Sequence, residues 1–155
     1  MTFAMIKIKA LTFIELLLVI IIIGILTGVS IPQLRKAFDN FALENFAKDI
    51  YYLSRYLQGS AIAGGKIYYL NINKDKGEFQ ATYKEENEFK NIQGRFGKIY
   101  KALDGIIVSL EPSERTGVYF YPDGSMDKIR ITLENQYKKQ LSIITKGVAG
   151  EIQIQ

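Results

Sequence analysis

Glu15 is the residue whose setting demands a chemical explanation. It lies in K-A-L-T-F-I-E-L-L-L-V-I-I-I-I-G-I-L-T-G-V-S-I-P, residues 9–32, and is the one charge among the 21 residues from Leu11 to Ile31. As a helix that stretch spans about 31 Å, one bilayer core. A carboxylate at the centre of such a helix costs about 2.5–3.5 kcal/mol on insertion scales. Glu15 is near one end, where the cost is lower and the side chain can reach water. Two readings follow from the residues: an interfacial glutamate kept near water, or a carboxylate placed to meet a cation from another chain.

Little else in the chain can do chemistry. It has no cysteine and no histidine. Disulfides, thiolate zinc sites, thiol nucleophiles and His-based catalytic arrangements are therefore excluded. Asp123 and Asp127, in P-D-G-S-M-D, could form a carboxylate pair or a cation site, but a turn aspartate and a solvent aspartate fit the pattern better. No cofactor, no metal and no enzymatic activity are expected. The formal charge is +4, a mild basicity that forces no nucleic-acid partner. Candidate phosphate contacts are Lys66, Lys74, Lys76, Arg95, Lys98, Lys101, Lys138, Lys139 and Lys146. Lys98/Lys101 and Lys138/Lys139 are close in sequence, and the ending G-E-I-Q-I-Q carries no basic tail.

The elements that must position Glu15 follow from hydrophobic period. The stretch 11–32 is apolar all round and reads as a transmembrane or assembly helix. Gly24 and Gly28 have the G-x-x-x-G spacing that lets membrane helices approach closely. With Pro32 they also weaken and kink the helix, so they read either as ordinary small-residue usage or as a place that melts when helices pack. Leu34, Phe38, Ala42, Phe46, Ile50, Leu53 and Leu57 recur at three or four residues, which predicts an amphipathic continuation over 33–59, with Gly64-Gly65 as a firm stop. From residue 66 to 155 the period becomes two. Tyr68–Ile72 and Phe79–Tyr83 flank N-K-D-K-G as a hairpin, and strands are expected from Ile106, at Val118–Tyr121, at Ile129–Leu133, at Leu141–Thr145 and at Ile152–Ile154. Residues 85–104 read as a solvated linker with anchoring aromatics, or as a variable surface loop touching a neighbouring subunit. The whole is α+β: one long helix followed by a mostly antiparallel sheet.

The segment 9–32 resembles the signal of type IV pilins and pseudopilins: a short basic leader, a small residue, a hydrophobic residue, Thr, two apolar residues, Glu and a long apolar stretch. The chain has Ala10 where that family usually has Gly, and Leu11 where it usually has Phe. The resemblance implies a leader of residues 1–10, starting at Met1 or Met5. A prepilin peptidase would cut between Ala10 and Leu11 on the cytoplasmic side and methylate the new N-terminus. It further implies that Glu15 pairs with the Leu11 amine of a neighbouring subunit, and that Pro32 is the family's kinking proline. G-V-Y-F-Y-P-D-G-S-M-D-K-I-R-I-T-L with L-S-I-I-T-K-G-V-A-G-E-I-Q-I is similar to the C-terminal module of the H-class minor pseudopilins and their FimT-type relatives, whose usual T-G-[RK]-V ending is replaced here by Val148-Ala149-Gly150-Glu151-Ile152. The function implied is a minor subunit of a short periplasmic pseudopilus in type II secretion or of a pilus tip complex. It would be a single-pass protein of the bacterial inner membrane with its C-terminal domain outside the cytoplasm. Its implied partners are the peptidase, other major and minor pseudopilins and an inner-membrane assembly platform. The alternative is a DNA-binding minor pilin of a competence system.

Overall fold

The computed structural model describes residues 12–147 and 150–155. The expected cut between Ala10 and Leu11, and the pair Val148-Ala149, lie outside the described residues. The chain forms two compact units, one ending at Ala37 and the other spanning Phe38–Gln155.

Helix α1 runs from Phe13 to Gly64 with Pro32 inside it. It passes the expected end near Gly59 because the next turn has something to bury: Ala61 is fully enclosed, which offsets the roughly 1 kcal/mol that a mid-helix glycine costs. Gly65 then takes φ 61°, the left-handed turn that ends helices.

The buried stripe of α1 is Leu43, Phe46, Ala47, Ile50, Leu53, Leu57 and Ala61. It starts later than the sequence pattern suggested, since Leu34 and Phe38 are 57% and 63% exposed. Around residue 40 the helix meets the sheets through amides instead. The Asn135 side chain donates to Asn40 Oδ1 at 2.8 Å, and Gln136 donates to Asp39 Oδ2.

Among the described residues nine strands follow, all paired antiparallel, in two sheets rather than the single sheet expected. One sheet has the order β3-β2-β1-β6, with β4 also on β2. Its strands are β1 (Tyr68–Asn73), β2 (Glu78–Glu85), β3 (Glu88–Asn91), β4 (Tyr100–Lys101) and β6 (Gly117–Phe120). The other has the order β5-β7-β8-β9, from β5 (Ile107–Glu111), β7 (Ile129–Glu134), β8 (Gln140–Thr145) and β9 (Ile152–Ile154). Period-two alternation sends Leu70, Ile72, Phe79, Ala81, Val118 and Phe120 of the first sheet inward. Val108, Leu110, Ile129, Ile131, Leu133, Ile143 and Ile152 of the second join them in one cluster with the α1 stripe. Phe46 meets Phe79 edge to face at 5.5 Å.

The stretch 85–104 is more ordered than a solvated linker. It holds β3, β4 and a short 3-10 helix at Arg95–Gly97, and the Phe96 ring stacks on Tyr56 of α1 with centroids 4.0 Å apart.

Two buried amides tie the helix to distant turns. Asn135 Oδ1 accepts from Tyr137 N and Lys139 N, closing the β7–β8 turn against Asn40. Gln58 Nε2 donates to Gly124 O at 3.1 Å, in the Y-P-D-G-S turn, and to Gly150 O at 2.7 Å, just before β9. Replacing Gln58 with Leu keeps the bulk and strands both carbonyls, so stability should fall by about 1–3 kcal/mol, measured by urea unfolding. Ile131→Asp puts an unpaired charge in the core and should abolish the cooperative transition.

Candidate functional site: the head of the apolar helix

Thr12 starts α1. Its backbone carbonyl accepts from Glu15 N and Leu16 N, both at 3.1 Å, and its Oγ1 accepts from Glu15 N at 3.4 Å. Thr12 is thus the N-cap, and T-F-I-E has the spacing of a capping box. Reading Glu15 for its charge alone missed Thr12, although the T-x-x-E pattern was there to be seen. A carboxylate in the first turn also complements the positive end of the helix dipole. Glu15 therefore has a favourable place in its own helix, and among the described residues no cation pairs with it.

Below it the helix is apolar on every side. Large side chains from Phe13 to Leu26 are all exposed, from 42% at Leu17 to 81% at Phe13. The two hydroxyls in this stretch are satisfied internally: Thr27 donates to Ile23 O and Ser30 to Leu26 O. That is how polar groups survive in an apolar medium. The helix is long and apolar enough to cross a membrane. Gly24, Gly28 and Pro32 follow one another at four-residue spacing and so share one face. A Cβ added at either glycine would meet nothing within 4 Å. Nothing among the described residues requires glycine there. The candidate residues Glu15, Gly24, Gly28 and Pro32 thus lie along one helix and form no side-chain cluster. Ala10 and Leu11 fall outside the described residues.

The other candidates resolve into structural roles. Asp123 Oδ1 accepts from Ser125 N and Oγ, closing its turn. Asp127 is not the solvent aspartate expected. Arg115 reaches it at 3.0 Å, Tyr121 donates to it, and Tyr119 N donates to the same carboxylate. Among the described residues no group of His, Cys, Asp or Glu could hold a metal ion. Several lysines are used in ion pairs: Lys138 with Glu134, Lys139 with Glu44, Lys146 with Glu151. Lys66 and Lys90 both bond Glu85, at 2.6 and 2.7 Å.

No family model and no curated protein matches the chain. Solved structures do. The minor pseudopilin EpsH of the type 2 secretion system of Vibrio cholerae superposes with a TM-score of 0.63 at 10% identity, covering 76% of this chain and 94% of that one. A second EpsH structure gives 0.62 at 13% identity, covering 70% and 92%. The type IV minor pilin FimU of Pseudomonas aeruginosa gives 0.60 at 10% identity, covering 76% and 90%. At such identities the likeness is one of fold: a long N-terminal helix packed on antiparallel sheets, the pilin-like α+β arrangement.

The Glu85 pair sets a pH dependence. Hydrogen bonds from Lys66 and then Lys90 hold its carboxyl down to about 2. A depressed carboxyl stabilises the fold above the ordinary carboxylate range, and that contribution is lost as pH falls through this range towards 2. In a carboxyl NMR titration Glu85 should be among the last glutamates to protonate. Glu85→Gln should make stability less sensitive to pH between about 5 and 2.

Proposed function

We propose that this chain is a minor pilin-like subunit, processed at the membrane and placed in a short filament of the pseudopilus or pilus-tip kind. One observation carries the reading: a pilin-like fold whose helix begins with a fully apolar, uncovered segment holding one carboxylate three residues past its N-cap. Uncovered apolar surface of this extent needs lipid or protein around it. Lipid serves before assembly and neighbouring helices after it. Residues 1–10 are the leader, 11–32 the segment that first spans the inner membrane and then lies among other subunits, and the β-rich part is extracytoplasmic. A prepilin peptidase cuts before Leu11 and methylates the new amine. Major and minor pseudopilins and an inner-membrane platform are the partners. Chemistry is done on this protein rather than by it.

In this reading Glu15 meets the Leu11 amine of a neighbour. A charge leaving water is tolerated when a partner neutralises it, and each cut creates one such partner. Gly24 and Gly28, with open space at both Cβ positions, are where a second helix comes close.

Mass spectrometry of the membrane-extracted protein should show a methylated Leu11 as first residue, and Ala10→Glu should block the cut by putting a bulky charge where a small residue is needed. An intact Met1 or Met5 terminus in cells with an active peptidase would sink the proposal. Glu15→Val should leave cleavage and insertion unchanged and abolish complementation of the deleted gene, whereas Glu15→Asp, shorter by one methylene, should complement in part. Full activity from Glu15→Val would show that pairing is not its role.

A further inference from the structure

The outer face of the first sheet carries two rows of unlike chemistry. Period two turns Tyr69, Asn71 and Asn73 of β1 outward, with Gln80 of β2 and Phe89 and Asn91 of β3 on the same side. Four rings form a chain across this face. Between centroids, Phe89 lies 5.9 Å from Tyr69, Tyr69 lies 4.4 Å from Tyr119, and Tyr119 lies 6.4 Å from Tyr121. Two of the rings are pinned at their hydroxyls. Tyr69 Oη shares a hydrogen bond of 2.9 Å with Thr116 Oγ1, and Tyr121 donates to Asp127, which Arg115 holds in place. None of the four belongs to the core cluster.

Beside the rings stands a row of amides. Asn71 is flanked by Gln80 on one side and Gly117 on the other. A Cβ at Gly117 would lie 2.7 Å from Cζ and Oη of Tyr69. Glycine there lets that ring lean across to the amide row, the way aromatics cover strand glycines. Asn71, Asn73, Glu78, Gln80 and Ile99 line an open hollow of about 110 Å³. Its one charged wall, Glu78, has Lys101 opposite it across β2 and β4, so charge is balanced there. Gln80 Nε2 donates to Asn91 Oδ1 at 3.1 Å, and Lys76 N donates to Asn73 Oδ1. Among the described residues this leaves Gln80 Oε1, Asn73 Nδ2 and the whole Asn71 amide open to a ligand. The hollow thus offers donors and acceptors side by side, next to flat apolar rings.

We infer that this face binds a neutral, extended glycan, stacking a sugar ring on Tyr69 and taking its hydroxyls on Asn71 and Gln80. A sugar is the ligand that uses both rows. Its C–H hydrogens suit the negative face of an aromatic ring, and its hydroxyls both donate and accept, as the amides do together. Apolar surface with a few convergent polar groups is the usual make of a small-ligand site. A lipid or apolar protein surface would cover the rings and leave the amides buried without partners. An anion would meet Glu78, and the balanced charge of the hollow gives it no pull. A peptide strand adds along a sheet edge, through its backbone, whereas the open groups here are side chains on a face. The site lies wholly within the unit Phe38–Gln155 and does not rest on the filament reading.

The test uses the full-length chain in dodecylphosphocholine micelles, a detergent without a sugar headgroup, and saturation-transfer NMR. The probes are cellohexaose and chitohexaose, the plain and N-acetylated forms of one extended backbone. At least one of them should receive saturation, strongest at its ring C–H hydrogens, and its affinity should not fall as salt is raised, since no charge is paired on binding. Asn71→Leu with Gln80→Leu keeps the bulk and removes the hydrogen bonds, and should cut affinity at least about fivefold. Tyr69→Leu removes the flat face and should cut it at least about threefold. Thr132→Val with Ser142→Ala, on the outer face of the other sheet, should leave it unchanged. Saturation of neither hexaose, undiminished affinity in the amide double variant or in Tyr69→Leu, or equal binding of a galacturonate oligomer would each overturn the inference. Circular dichroism of every variant checks that the substitutions leave the fold intact.

Discussion

Burial of one stripe of α1, Leu43 to Ala61, is the constraint on which the C-terminal unit depends. Neither sheet can cover its own inner face. Leu70, Phe79 and Phe120 of one, and Ile131, Leu133 and Ile143 of the other, reach full burial in a single cluster with that stripe. The helix is therefore the common wall of both sheets, and the amides of Asn135 and Gln58 fix which turns lie along it. Every buried side-chain polar atom among the described residues has a partner, as a core of this kind requires.

The first part of α1 answers to the opposite constraint. From Phe13 to Leu26 it has no polar side and no cover from the described residues, and its hydroxyls turn inward to its own carbonyls. A single continuous helix thus carries two hydrophobic patterns, apolar throughout and then apolar along one stripe. The uniform pattern suits a surrounding that is itself apolar on all sides. The stripe suits a surface that is apolar on one.

How much of this could be read from sequence depended on range. The apolar helix, the alternation at Ile129–Ile131–Leu133 and the turns at Gly77 and Gly124 are local patterns, and the structure bears them out. Gln58 was illegible because its two partners are backbone carbonyls 66 and 92 residues away, and a carbonyl has no residue type. Phe96 looked like part of a loop because Gly94 and Gly97 break every helical period around it. Its stacking on Tyr56 is a tertiary contact that no period encodes. The start of the buried stripe was misplaced for a similar reason: Leu34 and Phe38 are as apolar as Leu43, and only the Asn135–Asn40 contact reveals where the sheet ends. At the head of the helix, Glu15 stood out by its charge, whereas the cap that Thr12 makes went unread because the threonine was taken only as one position of a motif.

The double hydrogen bond of Gln58 also has a consequence in time. A ribosome makes α1 first, then the strands in order, and Gly150 comes only after β8. Until then the amide has at most one of its two acceptors, and contacts this distant in sequence form late because the loops they close are long. The helix is thus complete well before the module that encloses its stripe. Arrival of Gly150, just before β9, is what lets that amide leave water fully bonded, so closure of the core waits for the strands that follow the helix.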